Sequence, residues 1–221
     1  MARPRSGPTA PRESPPDLPT HLDLLDPHSV MPRVELSAVR VKGLTGPVSA
    51  AHGRIVDARI DDASVDRFDL TGTALTDVAI RDLRAAELLA REGSWRSVEI
   101  IGGRIATLDA SRASWDGIRL QGLRVDYLSL ASADVGDLMV IDCQIGSLDL
   151  PQAKVNRVAF QNTRIDEIDT RGLRSDHFDL RGAEVLRFTD PRGLAGAMLS
   201  TRQAELHGPS FADALGIRLA P

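Results

Sequence analysis

A five-residue repeat of apolar and small residues runs from Gly53 to Phe188. Cut into blocks of five from Val56, this part of the chain begins VDARI DDASV DRFDL TGTAL TDVAI, and the third and fifth residue of each block are apolar or small. There are 55 such positions and none is charged, whereas the other 81 positions hold all 41 charged residues. A periodicity this strict is the main indication of the fold. The polar exceptions are Thr73, Thr163, Thr170 and Ser175.

The spacing of the apolar positions fits neither a helix nor a simple strand. An amphipathic helix places apolar residues at i, i+3, i+4 and i+7, and a strand alternates by two throughout. Here two inward residues separated by one outward residue indicate a short extended segment, and the following step of three indicates a turn. The second place of a block, where a turn needs a permissive backbone, often holds glycine: Gly72, Gly102, Gly117, Gly122, Gly172 and Gly182. The pattern predicts an all-β solenoid.

Residues twenty apart match in size, which predicts four blocks per coil and a four-sided cross-section. One such column is large throughout, and it consists of Phe68, Leu88, Leu108, Leu128, Leu148, Ile168 and Phe188. Another is small, and it consists of Thr73, Gly93, Ala113, Ala133 and Ala153. Trp95 and Trp115, also twenty apart, lie beside the small column and use the room that it leaves. The repeat is long enough for about seven coils.

Several blocks resemble the unit of the pentapeptide-repeat family, Ala-Asp/Asn-Leu-x-x. The closest matches are Ala133-Asp134-Val135-Gly136-Asp137, Phe178-Asp179-Leu180-Arg181-Gly182 and Phe68-Asp69-Leu70-Thr71-Gly72. The chain resembles a degenerate member of that family, because other blocks often place Leu, Ile, Val or Phe at the small position. The resemblance implies a right-handed quadrilateral β-helix.

Composition divides the chain into three segments. Residues 1–32 hold eight of the thirteen prolines, which predicts a disordered, proline-rich arm. Residues 33–190 form the predicted solenoid. Its first residues keep the spacing one residue out of phase, so we expect an irregular first coil with a slip near Gly46-Pro47. Residues 191–221 form a predicted helical cap.

The C-terminal segment contains two helix-start patterns. Ser200 with Gln203 forms a capping-box pattern, and Ser210 with Asp213 resembles a second start before Gly216. Two short helices are therefore expected. Five apolar residues accompany them, and they are interpreted as a lid over the open end of the solenoid or as the contact of a homodimer: Leu199, Leu206, Phe211, Leu215 and Ile217.

The residue types required for catalysis are missing from the pattern. No histidine has a metal-ligand partner at a suitable spacing, and no phosphate loop, catalytic triad or paired-carboxylate cleft is recognisable. Cys143 falls at an inward position, which predicts a buried, inert thiol. We expect no enzyme activity, no catalytic residue, no metal site and no cofactor.

Charge and cysteine usage indicate which partners and which cellular location to expect. A formal net charge of −4 argues against direct binding of nucleic acid, and the lack of a long apolar run argues against a membrane span. One cysteine and no signal-like N-terminus favour a reducing, cytoplasmic location.

Surface charge is the remaining feature that could carry function. Between Arg124 and Lys154 the sequence contains acids and no base, which predicts an acidic interaction surface made of Asp126, Asp134, Asp137, Asp142 and Asp149. The favoured interpretation is a non-enzymatic binding or scaffold protein with an unidentified protein partner. The alternative implied by the family resemblance is a dimeric protein that imitates DNA and binds or protects DNA gyrase.

Overall fold

The computed structural model describes residues 7–220, and these are almost entirely β-strand. The strands are β1 (Asp23–Leu25), β2 (Glu35–Lys42), β3 (Thr45–Ser49), β4 (Arg54–Asp61), β5 (Ser64–Asp69), β6 (Ala74–Leu89), β7 (Ser94–Asp109), β8 (Ser114–Ser129), β9 (Asp134–Ile141), β10 (Gln144–Asp149), β11 (Lys154–Gln161), β12 (Thr163–Asp169), β13 (Arg174–Asp179) and β14 (Ala183–Phe188). Short 3-10 turns occupy Pro27–Ser29 and Pro191–Leu194, and the helix α1 spans Thr201–Ala214.

The strands form a parallel β-solenoid of about eight turns, which confirms the predicted architecture. Each strand from β4 to β12 pairs with the chain twenty residues later, so Leu88 lies beside Leu108 and Leu108 beside Leu128. This register is the predicted four-block coil. The solenoid has one turn more than the regular repeat predicts, because the upstream residues add an irregular first turn.

Side chains at the predicted inward positions fill the solenoid core. Of the 55 positions, 53 are buried, and the exceptions Gly103 and Ser175 are half-buried. Buried threonines satisfy their hydroxyls on the backbone; the Thr73 hydroxyl, for example, donates to the carbonyl of Ala50 at 2.8 Å. The core is therefore closed and apolar, and its threonine hydroxyls are hydrogen-bonded. Among the described residues, the indole N–H groups of Trp95 and Trp115 are buried without a hydrogen-bond partner.

The first turn has the slip that the sequence predicts. Strands β2 and β4 pair with an offset of nineteen residues, as in the pair Glu35 and Arg54. The offset returns to twenty through a β-bulge between Gly46 and Pro47 in β3, which pairs with β5. Proline suits this terminal strand because it lacks the N–H that an added strand would need.

Three of the four corners of a coil use left-handed backbone, except in the last coil, where Gly182 does not. At one of them the N–H of Ala113 donates to the carbonyl of Ala110 at 3.2 Å, and Arg112 between them has φ +57°. A second corner, here called the arm corner, has positive φ in every coil. The arm corner consists of Asp57, Asp77, Ser97, Gly117, Asp137, Arg157 and His177.

The proline-rich arm differs from its predicted disorder. Within the described residues it lies extended along the arm corner, hydrogen-bonded from Thr9 to Asp17. Strand β1, further along the same segment, pairs in parallel with β2. Proline prevents the arm from forming a ladder of its own, but an extended chain can still bond to side chains of the solenoid. The part of the predicted arm before residue 7 lies outside the described residues.

The C-terminal cap contains one helix where two were expected. The capping box forms as predicted: the N–H of Gln203 donates to the Ser200 hydroxyl at 3.2 Å, and the Gln203 side chain accepts from the N–H of Ser200 at 2.8 Å. The helix then continues through Pro209 to Ala214, because both of its halves pack on the last coil. Within residues 7–220 no helix is long and apolar enough to cross a membrane.

Candidate functional site

The five predicted surface acids form a belt around the rod. They lie between residues 126 and 149, slightly more than one coil of twenty residues, so they are on different sides of the cross-section. The hydroxyl of Tyr127, the residue after Asp126, donates to Asp149 at 2.6 Å. Asp134, Asp137 and Asp142 lie on other sides.

Basic residues from neighbouring coils accompany three of these acids. Arg104 bonds to Asp126 at 3.1 Å, and Arg124 lies 3.6 Å from it. The hydrogen bond from Arg104 is the main cause that lowers the pKa of Asp126. Asp134 is paired in register with Lys154 in the next coil. The sequence stretch that lacks bases is therefore not free of positive charge in space.

Asp137 is the most buried of the five acids, with 3% of its side chain exposed. Arg157 holds it through two hydrogen bonds, Nε at 2.5 Å and Nη2 at 2.7 Å. On the other side Arg12 of the arm donates its backbone N–H at 2.8 Å and its Nε at 3.1 Å. These contacts, led by the one from Arg157, lower the pKa of Asp137 to about 2.

Asp142 and Asp149 have neutral partners. The Asn162 amide donates to Asp142 at 2.8 Å. The bond from the Tyr127 hydroxyl to Asp149 raises the pKa of Tyr127, since the neighbouring carboxylate disfavours a phenolate. Asp149 is paired in register with Asp169, whose carboxylate is bound by Arg171. One face thus remains more acidic than the others.

Ion pairs also join outward side chains of adjacent coils, and the order of charges along the chain does not predict them. Arg112 bonds to Glu92 at 2.6 Å, and Arg187 bonds to Glu167 at 2.5 Å, each pair separated by twenty residues. The Asp137–Arg157 pair has the same separation. The repeat length contains this information, because any two outward residues twenty apart are neighbours in adjacent coils.

The arm runs antiparallel to the solenoid axis. Thr9 bonds to His177 in a late coil, whereas Asp17 bonds to Asp77 five coils earlier. Eight residue steps at roughly 3.1 Å give about 25 Å, and five coils at about 4.8 Å give about 24 Å. The arm therefore spans the same length as the five coils that it crosses, with about the rise per residue of a polyproline II helix.

The predicted cap and dimer residues separate into two groups. Leu199 and Phe211 pack against the solenoid core. Leu206 and Leu215 are 65% and 72% exposed, and Ile217 is 55% exposed. Leu219 is exposed as well. The C-terminal segment thus closes the core with one side and presents large apolar side chains on the other.

Polar side chains of α1 complete the closure of the last coil. The Gln203 amide donates to the carbonyls of Leu180 at 2.8 Å and Ala183 at 2.7 Å. The His207 ring nitrogen Nε2 lies 3.0 Å from the carbonyl of Val185, so it must carry the proton to bond there. These contacts satisfy carbonyls that would otherwise offer a strand edge.

The side chains that could bind a metal ion or react as a thiol are dispersed or buried in the described residues. No group of three or more His, Cys, Asp or Glu side chains in residues 7–220 is placed to hold a metal ion. Cys143 is buried, and burial raises the pKa of its thiol.

An open groove of about 470 Å³ between the last coil and α1 is lined by Arg164, Arg181 and Arg202. Arg181 is bound by Asp179.

Among known proteins, the chain is similar to solved structures but not to a family model or a curated sequence. No protein-family model matches the chain, and no curated protein sequence matches it. The chain is similar to a trypsin-treated variant of QnrB1, described as a plasmid-mediated fluoroquinolone resistance protein. The identity is 14% and the TM-score 0.28, and the match covers 85% of this chain and 100% of that one.

Proposed function

We propose that the chain is a non-enzymatic protein-binding scaffold. The observation that carries this proposal is the strict division of the solenoid into a sealed core and an array of outward side chains repeated at each coil. A continuous parallel ladder is stiff, so a partner that binds it loses little conformational entropy in the rod. Variation of the outward residues can then create a binding surface without changing the core.

We propose further that the C-terminal surface joins two copies. Leu206, Leu215, Ile217 and Leu219 are all exposed within one short stretch at the C-terminal end of the rod. Large apolar side chains grouped at one end support an interface, and a two-fold contact requires one self-complementary patch. In a homodimer, the same apolar surface of a second copy would cover these side chains, and no other protein would be needed.

The test is light scattering on the full-length chain and on the double variant Leu215→Asp, Ile217→Asp. A dimer is expected for the parent and a monomer for the variant, because buried carboxylates would oppose the contact. Leu24→Asp is the matched control, since Leu24 is 78% exposed at the opposite end of the rod. A monomeric parent at high micromolar concentration, or a dimer that survives the double substitution, would refute the interface.

A DNA-mimicking protein that acts on gyrase is the second candidate, and one observation favours it. Asp109, Asp149 and Asp169 share a column on one face, with Ser129 between the first two. The arginines that bind Asp126 and Asp169 reduce the field of this face. In a gyrase supercoiling assay the scaffold proposal predicts no inhibition. Inhibition that is lost after Asp149→Asn and Asp169→Asn would favour the mimic instead.

A further inference from the structure

The centre of the arm corner is a buried carboxylate with a guanidinium on each side. Asp137 receives Arg157 from the solenoid and Arg12 from the arm, with Arg12 contributing both its backbone N–H and its side chain. The Arg12 side chain is 73% exposed, whereas Asp137 is 3% exposed. The solenoid therefore provides a built acidic socket, and the arm inserts a residue that can withdraw into water.

The groove beside this socket suits an extended chain with prolines. Pro11, Pro15 and Pro16 of the arm line a narrow cleft with Ile118 and Met139 of the solenoid. Pro11 is buried, while most other arm residues are exposed. The ring of Pro11 thus lies against the rod, while the backbone of the arm forms no ladder. Extended proline-rich ligands are commonly bound in this way.

Close approach of the arm depends on Gly117. A Cβ at that position would lie 2.9 Å from the Cβ of Ser14, and the backbone there has φ +69°. One coil earlier the hydroxyls of Ser14 and Ser97 are 2.6 Å apart, and Ser97 is 7% exposed. The arm thus approaches the solenoid most closely at Ser14, which is a small residue.

Backbone bonds to the ends of the arm set its direction. The N–H of Asp17 donates to the Asp77 carboxylate at 3.1 Å, and the N–H of Thr9 donates to the His177 ring at 3.1 Å. Each is a single exposed hydrogen bond, so the ends of the arm are held more weakly than its centre at Arg12. This arrangement allows exchange from the ends inward.

We propose that the arm corner is a peptide-binding site for an extended, proline-rich segment that carries an arginine. Residues 9–17 occupy it in cis until such a segment of a partner protein displaces them. The inference rests on the proposal that the rod is a binding protein, and it names the chemistry of one partner. Asp137, held in place by Arg157, selects the arginine, Gly117 selects a small residue after it, and the apolar cleft selects proline.

The experiment titrates a fluorescent synthetic peptide of residues 7–18 into full-length protein and measures anisotropy. The variant Arg12→Gln loosens the resident arm, so the labelled peptide should bind it about tenfold more tightly than it binds the parent. Adding Asp137→Asn to Arg12→Gln should weaken peptide binding about tenfold, because the charged acceptor is lost. Adding Asp57→Asn is the matched control, since Asp57 lies in the same column beyond the arm contacts.

Two results would overturn the site. One is equal peptide binding by the parent and the Arg12→Gln variant. The other is undiminished binding of a peptide that itself carries glutamine in place of arginine, a comparison that leaves the protein fold untouched. Light scattering on the same samples separates this inference from the proposed function. Loss of peptide binding by a chain that still dimerises rejects the groove alone, whereas a monomer that binds the peptide rejects only the C-terminal interface.

Discussion

The indole rings of Trp95 and Trp115 stack inside the solenoid, with centroids 5.2 Å apart and planes inclined by 14°. The two residues are direct partners on adjacent strands β7 and β8, and each is 1% exposed. Their neighbours Gly93 and Ala113 are small, which leaves the space that two indoles need. The stack is therefore a direct physical consequence of the twenty-residue coil.

Removal of one indole should destabilise the solenoid strongly. Trp115→Ala is expected to lower the free energy of unfolding by about 3–5 kcal/mol, because it leaves a cavity that the ladder cannot close. Chemical denaturation followed by circular dichroism measures the change. Leu186→Ala, at a 51% exposed outward position, is the control and should change stability by about 0.5 kcal/mol or less. Equal effects of the two substitutions would contradict the inward assignment.

Asp137 should make stability depend on acid pH. Its pKa falls from 3.8 to about 2 in the folded protein, so its contribution is complete above 3.8 and is lost as the pH falls towards 2. The difference in unfolding free energy between the parent and Asp137→Asn should therefore shrink by about 2 kcal/mol over that window. Denaturant titrations at several pH values measure it. A difference that stays constant between pH 5 and pH 2 would contradict the ion pair, and Asp57→Asn controls for the loss of a corner carboxylate.

Gln203 should be important for the closed end of the rod. Gln203→Ala removes the side-chain donor to the carbonyls of Leu180 and Ala183, at an expected cost of about 1–3 kcal/mol. The Leu180 carbonyl keeps its bond from the N–H of Ala183. Hydrogen exchange in β14 and the denaturation midpoint report the change. Arg202→Ala, at the exposed neighbouring position, should leave both nearly unaltered. Unchanged exchange in β14 after Gln203→Ala would show that the helix does not seal this strand.

Gly103 and Gly122 should respond differently to alanine. Both have positive φ, but a Cβ at Gly103 would lie 2.8 Å from the backbone nitrogen of Leu83, whereas at Gly122 the nearest atom is 4.0 Å away. Gly122→Ala should cost about 1–2 kcal/mol for its left-handed backbone. Gly103→Ala should cost more than about 3 kcal/mol, since the coil behind it must move. Thermal unfolding of both variants measures the difference, and similar melting temperatures would contradict the close approach.

The candidate binding surfaces were only partly predictable. The apolar residues of the C-terminal segment are recognisable as a group, but which of them face inward depends on how α1 lies on Phe188. His207 meets that ring edge to face with centroids 4.8 Å apart, and the Phe211 centroid lies 6.4 Å from it. These contacts direct Leu206 outward. The sequence also suggests a helix break at Gly208-Pro209. Packing on both sides of it outweighs the one hydrogen bond that proline removes.

The binding of the arm to the solenoid could not be predicted from the sequence, for a different reason. Its prolines correctly exclude a ladder, yet the same composition is compatible with disorder and with an extended bound chain. What distinguishes the two is a set of single contacts with residues between 60 and 168 positions away in the chain, such as Asp17 with Asp77 and Thr9 with His177. No local pattern encodes such pairs.

The five-residue pattern of the sequence is enough to predict the solenoid, its twenty-residue coil, the slip at Gly46-Pro47 and most of the buried residues. It could do so because burial repeats with a fixed local period, and each coil contacts mainly its neighbours. The tertiary structure alone decided where the arm binds, which acids are neutralised and which apolar residues at the C-terminus remain exposed. Those outcomes depend on contacts made once, between segments far apart in the chain, and a single contact leaves no period to detect.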